Sequence, residues 1–411
     1  MYTSRRFLPM ALIAVTALTI SACSSSSTSS DTSAPAASAA ASAAASVAAS
    51  AAASAPASAA ASAAADGAVS ADVVATVEAA KALPTFTSPG DAFSIADIKG
   101  KKIFEIPSVP NPFLQSITDS MKKAAEAAGA VYTVCDNQAQ VSQWAACMDQ
   151  AINSKQDIIL LNGAPDPRAL QPQIQAAKAA GIPVEVIHFH DDSSPTPPDC
   201  EGCADVTGVV TAPFNTAGKA AADWIIQDSA GKANTLIVGG SDILPSPGTI
   251  DTMTKEFDTN CADCKYTVIN IPVADWNTKT QSEVQAALQA NPDIKYVYVL
   301  YDAMVAGAVP AVETLGLKDV KIGSYNGSPF ALDFIAQGDT VAFNVGEDTP
   351  GIGYAAIDQA FRILTGNAPV PTRTPIRIWD DTNVAEAGTP AAAGVGYGDA
   401  TVSGYEALWQ K

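Results

Sequence analysis

Residues 102–114 read Lys-Ile-Phe-Glu-Ile-Pro-Ser-Val-Pro-Asn-Pro-Phe-Leu, and no other stretch restricts the fold as much. Ile103, Phe104 and Ile106 form a short apolar run that suits a parallel strand covered on both faces. Three prolines then forbid regular pairing. Asn111-Pro112 predicts a helix start, with Asn as the cap and Pro at the first helical position, where its missing N–H costs nothing. Phe113, Leu114, Ile117, Met121 and Ala125 recur at helical spacing up to Gly129. Such a turn puts Asn111 and Phe113 at the carboxyl end of a sheet, where open α/β sheets bind ligands.

The same rhythm continues along the chain. Strands are expected at 130–135, 157–161 and 182–187, with helices at 140–153 and 167–180 between them. It restarts with a strand at 205–210 and a helix at 215–228. Strands follow at 235–238, 265–271, 296–300 and 320–322, with helices near 249–257, 279–290 and 302–315. Pro310 lies inside the last of these and should kink or shorten it. A later strand, 340–345, and a helix, 351–364, lead back to the first lobe. The α/β chain therefore divides into two consecutive lobes of similar design, joined near Thr211. An N-terminal extension, 71–97, and a C-terminal tail, 396–411, flank them.

The start of the chain is of another kind. Residues 1–22 combine Arg5-Arg6, an apolar run too short for a membrane span, and Ser21-Ala22, the pattern of an export signal. Ile20-Ser21-Ala22-Cys23 resembles the bacterial lipobox, which implies cleavage before Cys23 and a lipid on its sulfur. Arg5-Arg6-Phe7-Leu8 is similar to a twin-arginine signal but lacks the residue usual between the Arg pair and Phe, so the general and twin-arginine export routes both stay open. Residues 23–70 are mostly Ser and Ala with no amphipathic repeat, a solvated tether that inflates the 48% hydrophobic content. A net charge of −19 offers no basic stripe for a phosphate backbone, which argues against nucleic acid.

Seven cysteines leave six once Cys23 is assigned to lipid: Cys135 with Cys147, Cys200 with Cys203, and Cys261 with Cys264. Export puts them in an oxidising compartment, which favours three disulfides; a four-thiolate zinc site on Cys200, Cys203, Cys261 and Cys264 is the alternative. His188 and His190 are the only histidines, and strand alternation would set both imidazoles on one side. No third metal ligand stands at a compelling spacing, so neither a metal nor a cofactor is expected.

At this point four motifs, in order, resemble those of the type I periplasmic sugar-binding proteins, in the ribose-like branch that serves ATP-driven importers. They are Asn111-Pro112-Phe113, the 218–223 segment Gly-Lys-Ala-Ala-Ala-Asp, the 301–308 segment Tyr-Asp-Ala-Met-Val-Ala-Gly-Ala, and the 323–329 segment Gly-Ser-Tyr-Asn-Gly-Ser-Pro. The resemblance covers roughly residues 101–375. It implies two doubly wound parallel-sheet lobes, 98–211 with 348–372 and 212–347 with 373–395, joined by a three-stranded hinge and closing on a small polar ligand such as a sugar. It also implies an extracytoplasmic monomer, held to the outer face of the membrane by the lipid on Cys23, that delivers its ligand to an ABC permease. The ligand set it implies is Asn111, Phe113, His188 and Phe189 from the first lobe, Trp276, Asn277, Tyr301, Asp302 and Asn326 from the second, and Gly346 or Glu347 at the last crossing.

Sugars present C–H faces to aromatic rings and hydroxyls to fixed polar groups, so Phe113, Phe189, Trp276 and Tyr325 suit walls, and Asn111, Asn277, Asp302 and Asn326 suit hydroxyl partners. Each has a plainer reading: Phe113 as helix core, Asp302 as a helix cap, Asn326 as a turn residue. The chain also departs from the branch, with His188-Phe189 where an Asp-Arg pair is usual and no arginine at 247–251, which removes two forked donors. No nucleophile elbow or phosphate loop is present to support an enzyme. A receptor that signals to a membrane partner on the same scaffold remains the alternative to import.

Overall fold

The computed structural model describes residues 69–411 apart from Pro110, Ala164 and Asp339; the export segment, Cys23 and nearly all of the Ser/Ala tract lie outside the described residues. Helix α1 (Ala71–Lys81) and the short strand β1 (Phe93–Ser94) come first. They are followed by β2 (Lys102–Pro107), α2 (Pro112–Ala127), β3 (Val131–Val134), α3 (Val141–Asn153), β4 (Ile158–Asn162), α4 (Gln171–Ala179), β5 (Val184–Asp191) and β6 (Gly208–Ala212). Then come α5 (Phe214–Asp228), β7 (Asn234–Gly239), α6 (Ser246–Asn260), β8 (Lys265–Asn270), α7 (Trp276–Ala290), β9 (Tyr296–Val299) and α8 (Val305–Thr314). The chain ends with β10 (Lys321–Asn326), α9 (Pro329–Ala336), β11 (Val341–Glu347), α10 (Thr349–Leu364), β12 (Ile376–Asp380), α11 (Ala400–Leu408) and β13 (Trp409–Gln410).

The first sheet has the order β3-β2-β4-β5-β6 and is parallel throughout. Ile103, Phe104, Glu105 and Ile106 of β2 are all buried, as a strand with helices on both faces requires. Asn111 caps α2 by accepting the Leu114 N–H at 2.9 Å, with Pro112 at the first turn. The second sheet has the order β12-β11-β10-β9-β7-β8, with only β12 antiparallel to its neighbour. A 3₁₀ turn takes Asp302–Met304, so α8 starts later than expected, with Pro310 inside it.

Three connections pass between the lobes: from β6 to α5, from β11 to α10, and from α10 back to β12. Strand β11 stays in the second sheet, and α10 alone returns, packing Ile352, Ile357 and Phe361 with Ile117 and Met121 in the first-lobe core. The Thr211 hydroxyl donates to the Thr372 carbonyl at 2.6 Å, tying the first connection to the third.

The two ends of the described chain add two more passages. Helix α1 seats Val73 and Val77 in the second-lobe core beside α5, and Lys81 pairs with Asp380 at 2.6 Å. Residues 82–92 then run to the first lobe, where Phe86 meets Tyr405 edge-on and Arg362 donates to the Asp91 carbonyl. The expected tail is an integral passage: Tyr397 is buried in the second-lobe core, while α11 and β13 lie on the first lobe. There β13 pairs in parallel with β1, and Trp409 donates to Asp358.

Cys135–Cys147, Cys200–Cys203 and Cys261–Cys264 are disulfides. Cys200 and Cys203 belong to a first-lobe core cluster and Cys261 to one in the second lobe, which removes the four-thiolate zinc alternative.

Candidate functional site

The feature that shapes the site is a break in β5. His188 has φ +55°, and the pairing of β5 with β6 shifts register between Ile187 and Asp191. Strict alternation is lost, so the two imidazoles part instead of sharing a side. His188 Nε2 lies 2.7 Å from Glu347 Oε2 at the end of β11, both side chains being buried, and this bond joins the two lobes. His190 instead donates from Nε2 to the Glu201 carbonyl at 2.8 Å. Its thiol neighbours, Cys200 and Cys203, are the remaining members of a compact triad, and both are consumed by their disulfide.

Aromatic rings surround the cross-lobe bond. Phe113 lies 5.1 Å and Phe214 5.2 Å from the His188 ring, and Tyr325 lies 5.8 Å from Phe214. Phe214, the first residue of α5, escaped the sequence reading; its only signal was its place directly after Pro213 at the lobe boundary. Trp276 opens α7, stacks on Tyr301 at 5.3 Å, and donates its indole N–H to the Ile271 carbonyl at 2.9 Å. The Tyr301 hydroxyl is 2.9 Å from Ser246 Oγ. Asn277, next on α7, is exposed.

Other expected ligands are occupied by the fold. Phe189 packs in the first-lobe core with Cys200 and Cys203, beneath the Arg168 guanidinium, which corrects its expected place as a wall of the cleft. Asp302 is fully buried and accepts from the Ser328 N–H and from Asn344 Nδ2, each at 2.6 Å, so it joins the ends of β9, β10 and β11. Burial pushes its carboxyl up to about 6 against those bonds. Asn326 is buried with φ +122° and leads into Gly327 at φ +74°, a tight exit from β10. Asn111, besides capping α2, lines a cavity of about 300 Å³ at the carboxyl ends of β2 and β3, with Val109, Thr118 and Asn137.

Glu347 is different. Its Oε1 is buried without a hydrogen-bond partner among the described residues, and so is the Tyr325 hydroxyl. Burial and the charge of Glu347 push that phenol well above its ordinary range. Asp192, beside the first connection, is held up to about 6 by burial, with Asp191 and Glu347 adding to the effect.

Comparison with known proteins follows the same outline. A family described as periplasmic binding protein domain matches residues 103–368. The chain is 25% identical over 294 residues to the ribose import binding protein of Salmonella typhimurium, covering 71% of this chain and 93% of that protein. It is 27% identical over 263 residues to the ribose import binding protein of Bacillus subtilis, covering 64% and 80%. Among solved structures, an ABC transporter solute-binding protein of Agrobacterium vitis with bound allitol superimposes with a TM-score of 0.60 at 20% identity, over 71% of this chain and 98% of that one.

Proposed function

Because the chain belongs to the periplasmic binding protein family, we propose that it captures a sugar or a related polyol between its lobes, outside the membrane, and delivers it to an ATP-driven permease. The observation that carries this reading is the His188–Glu347 bond, which joins residues 159 apart at the carboxyl edges of two separate sheets inside a ring of Phe113, Phe214 and Tyr325. The names of the ribose-binding relatives support the ligand class. The ligand set is Phe113, His188, Phe214, Trp276, Tyr301, Tyr325 and Glu347, with Asn111, Asn277 and Asn326 at its rim. Asp302 acts by holding the second-lobe edge together. Cys23 carries the lipid that keeps the protein at the outer face of the membrane, on a tether formed by residues 23–70.

Thermal-shift measurement of the full chain against pentoses, hexoses and polyols tests the reading. A ligand present at 100 times its Kd adds about 2.7 kcal/mol to stability. Trp276→Ala should lose most of that shift while lowering the unliganded melting point only modestly, because its ring is half-buried. If no member of the panel moves the melting point of the wild type, the solute-binding reading is lost.

A further inference from the structure

Several carboxylates lie buried where the lobes meet, Asp191 with its bonds to Asn215 among them, and three in the second lobe and its last crossing differ in how they are satisfied. Asp302 is bound by Ser328 and Asn344, and Asp348 accepts the Gly351 N–H as the cap of α10. Glu347 has one close partner, His188, on Oε2, while its Oε1 is buried with no full hydrogen bond among the described residues; the Tyr325 hydroxyl, equally without another partner, approaches the same carboxylate. Of the nearby cations, Arg377, opposite Gly346 on β12, is committed elsewhere: it donates to the carbonyls of Lys81 and Gly396 and pairs with Glu386, while Arg373 is exposed and acts on Asp192. No arginine stands at 188–189 or 247–251. A buried carboxylate held by a single imidazole is an incomplete arrangement, since taking a charge out of water is unfavourable unless a counter-charge and further hydrogen bonds meet it.

We propose that the ligand is an aminated sugar or polyol whose protonated nitrogen docks on Glu347 Oε1 and the Tyr325 hydroxyl oxygen. The proposal rests on the solute-binding reading above and names the ligand within it. An ammonium group has three N–H donors and needs acceptors for all of them, and these two oxygens supply two in one place. The bond to the carboxylate is charge-assisted, roughly twice as strong as a neutral one, and the ligand brings the counter-charge that the protein withholds. The rings of Phe214 and Tyr325, 5.8 Å apart, make the surroundings aromatic, which suits a cation. A neutral polyol could bond to Oε1 through a hydroxyl but would leave the carboxylate uncompensated.

The test is calorimetric titration of the full chain at neutral pH with matched pairs that differ by one amine for one hydroxyl: D-glucosamine with D-glucose, D-galactosamine with D-galactose, and 1-amino-1-deoxysorbitol with sorbitol. In at least one pair the amine should bind tighter by about tenfold or more, the gap expected between charge-assisted and neutral bonds. Glu347→Gln should bring that ratio close to one. Tyr325→Phe, a second variant that leaves the carboxylate in place, should weaken the amine several-fold yet keep its preference. If in every pair that binds the neutral member binds the wild type as tightly as its amine, the proposal is overturned and the solute-binding reading stays intact. An amine preference that survives in Glu347→Gln has the same consequence. Failure of both the amines and the neutral sugars and polyols to bind overturns the two together.

Discussion

The two lobes share one βα design, yet one buried acid in each is satisfied in the opposite way. In the first lobe Glu105 is satisfied locally: it accepts from Thr118 at 2.6 Å, Asn162 at 2.7 Å and Tyr132 at 2.8 Å, all in the same lobe. In the second, Glu347 at the end of β11 depends on a histidine from across the cleft. A group satisfied by its own lobe keeps its partners whatever the lobes do, whereas Glu347 must exchange partners when they separate. The difference marks Glu105 as architecture and Glu347 as the acid whose pairing depends on how the lobes sit, which is what its proposed ligand role requires.

The largest effect expected on this contrast comes from a part of the second lobe that lies outside the family match, residues 103–368. Starting the chain at residue 82 removes Val73, Val77 and the Lys81–Asp380 pair from the second lobe. Burying a valine is worth about 1.5–3 kcal/mol, so the loss of two is about 3–6 kcal/mol. Calorimetry should show a melting point about 10 °C below that of a chain starting at residue 69. Equal melting points would show that α1 is dispensable to the lobe.

Asp302→Ala should come next. It leaves the Ser328 N–H and the Asn344 amide unpaired in the interior, at a cost of about 3 kcal/mol, readable as a shifted urea midpoint. A cost near zero would move Asp302 from the architectural group to the responsive one.

The smallest effect has the opposite sign. Glu185 is fully buried in β5 with neither oxygen partnered among the described residues, and burial, with Asp358 nearby, raises its carboxyl well above the ordinary value. A carboxyl whose folded pKa is raised contributes most below its unfolded value, near 4.5, and loses that contribution as pH rises. Glu185→Leu should therefore stabilise the first lobe by about 1–2 kcal/mol at pH 7.5, with a smaller gain at pH 4.5. An equal gain at both values would detach the effect from ionisation.

The sheets and most of their helices were legible in the sequence because parallel strands buried on both faces read as bare apolar runs, as Ile103 to Ile106 and Tyr296 to Val299 do. Asn111 was legible because a cap and an N1 proline are local signals. Three things were not. Helix α1 is Ala-rich and follows an Ala-rich tract, so nothing in composition marks where order begins, and its stability comes from Val73 and Val77 against α5. The φ of His188 has no residue-type signature, and that one angle sends His188 into the cleft and leaves Phe189 in the core. The partner of Glu347 lies 159 residues away in the other lobe, where only folding can place it.

The two passages formed by the chain ends do not cross empty space. The first runs beside the third connection: Arg377 holds the Lys81 carbonyl, and Gly90 lies against Val370 and Arg362. The second runs beside the connection from β11 to α10, with Tyr397 against Gly346 and Thr401 against Gly351. Two of the three hinge strands are thus paired with a second ply. A paired flexure still bends but resists torsion, so the lobes should part along a single arc, and small-angle scattering should register only a slight swelling when ligand is withdrawn. Such a joint trades breadth of opening for repeatability, since each closure returns His188 to the same carboxylate.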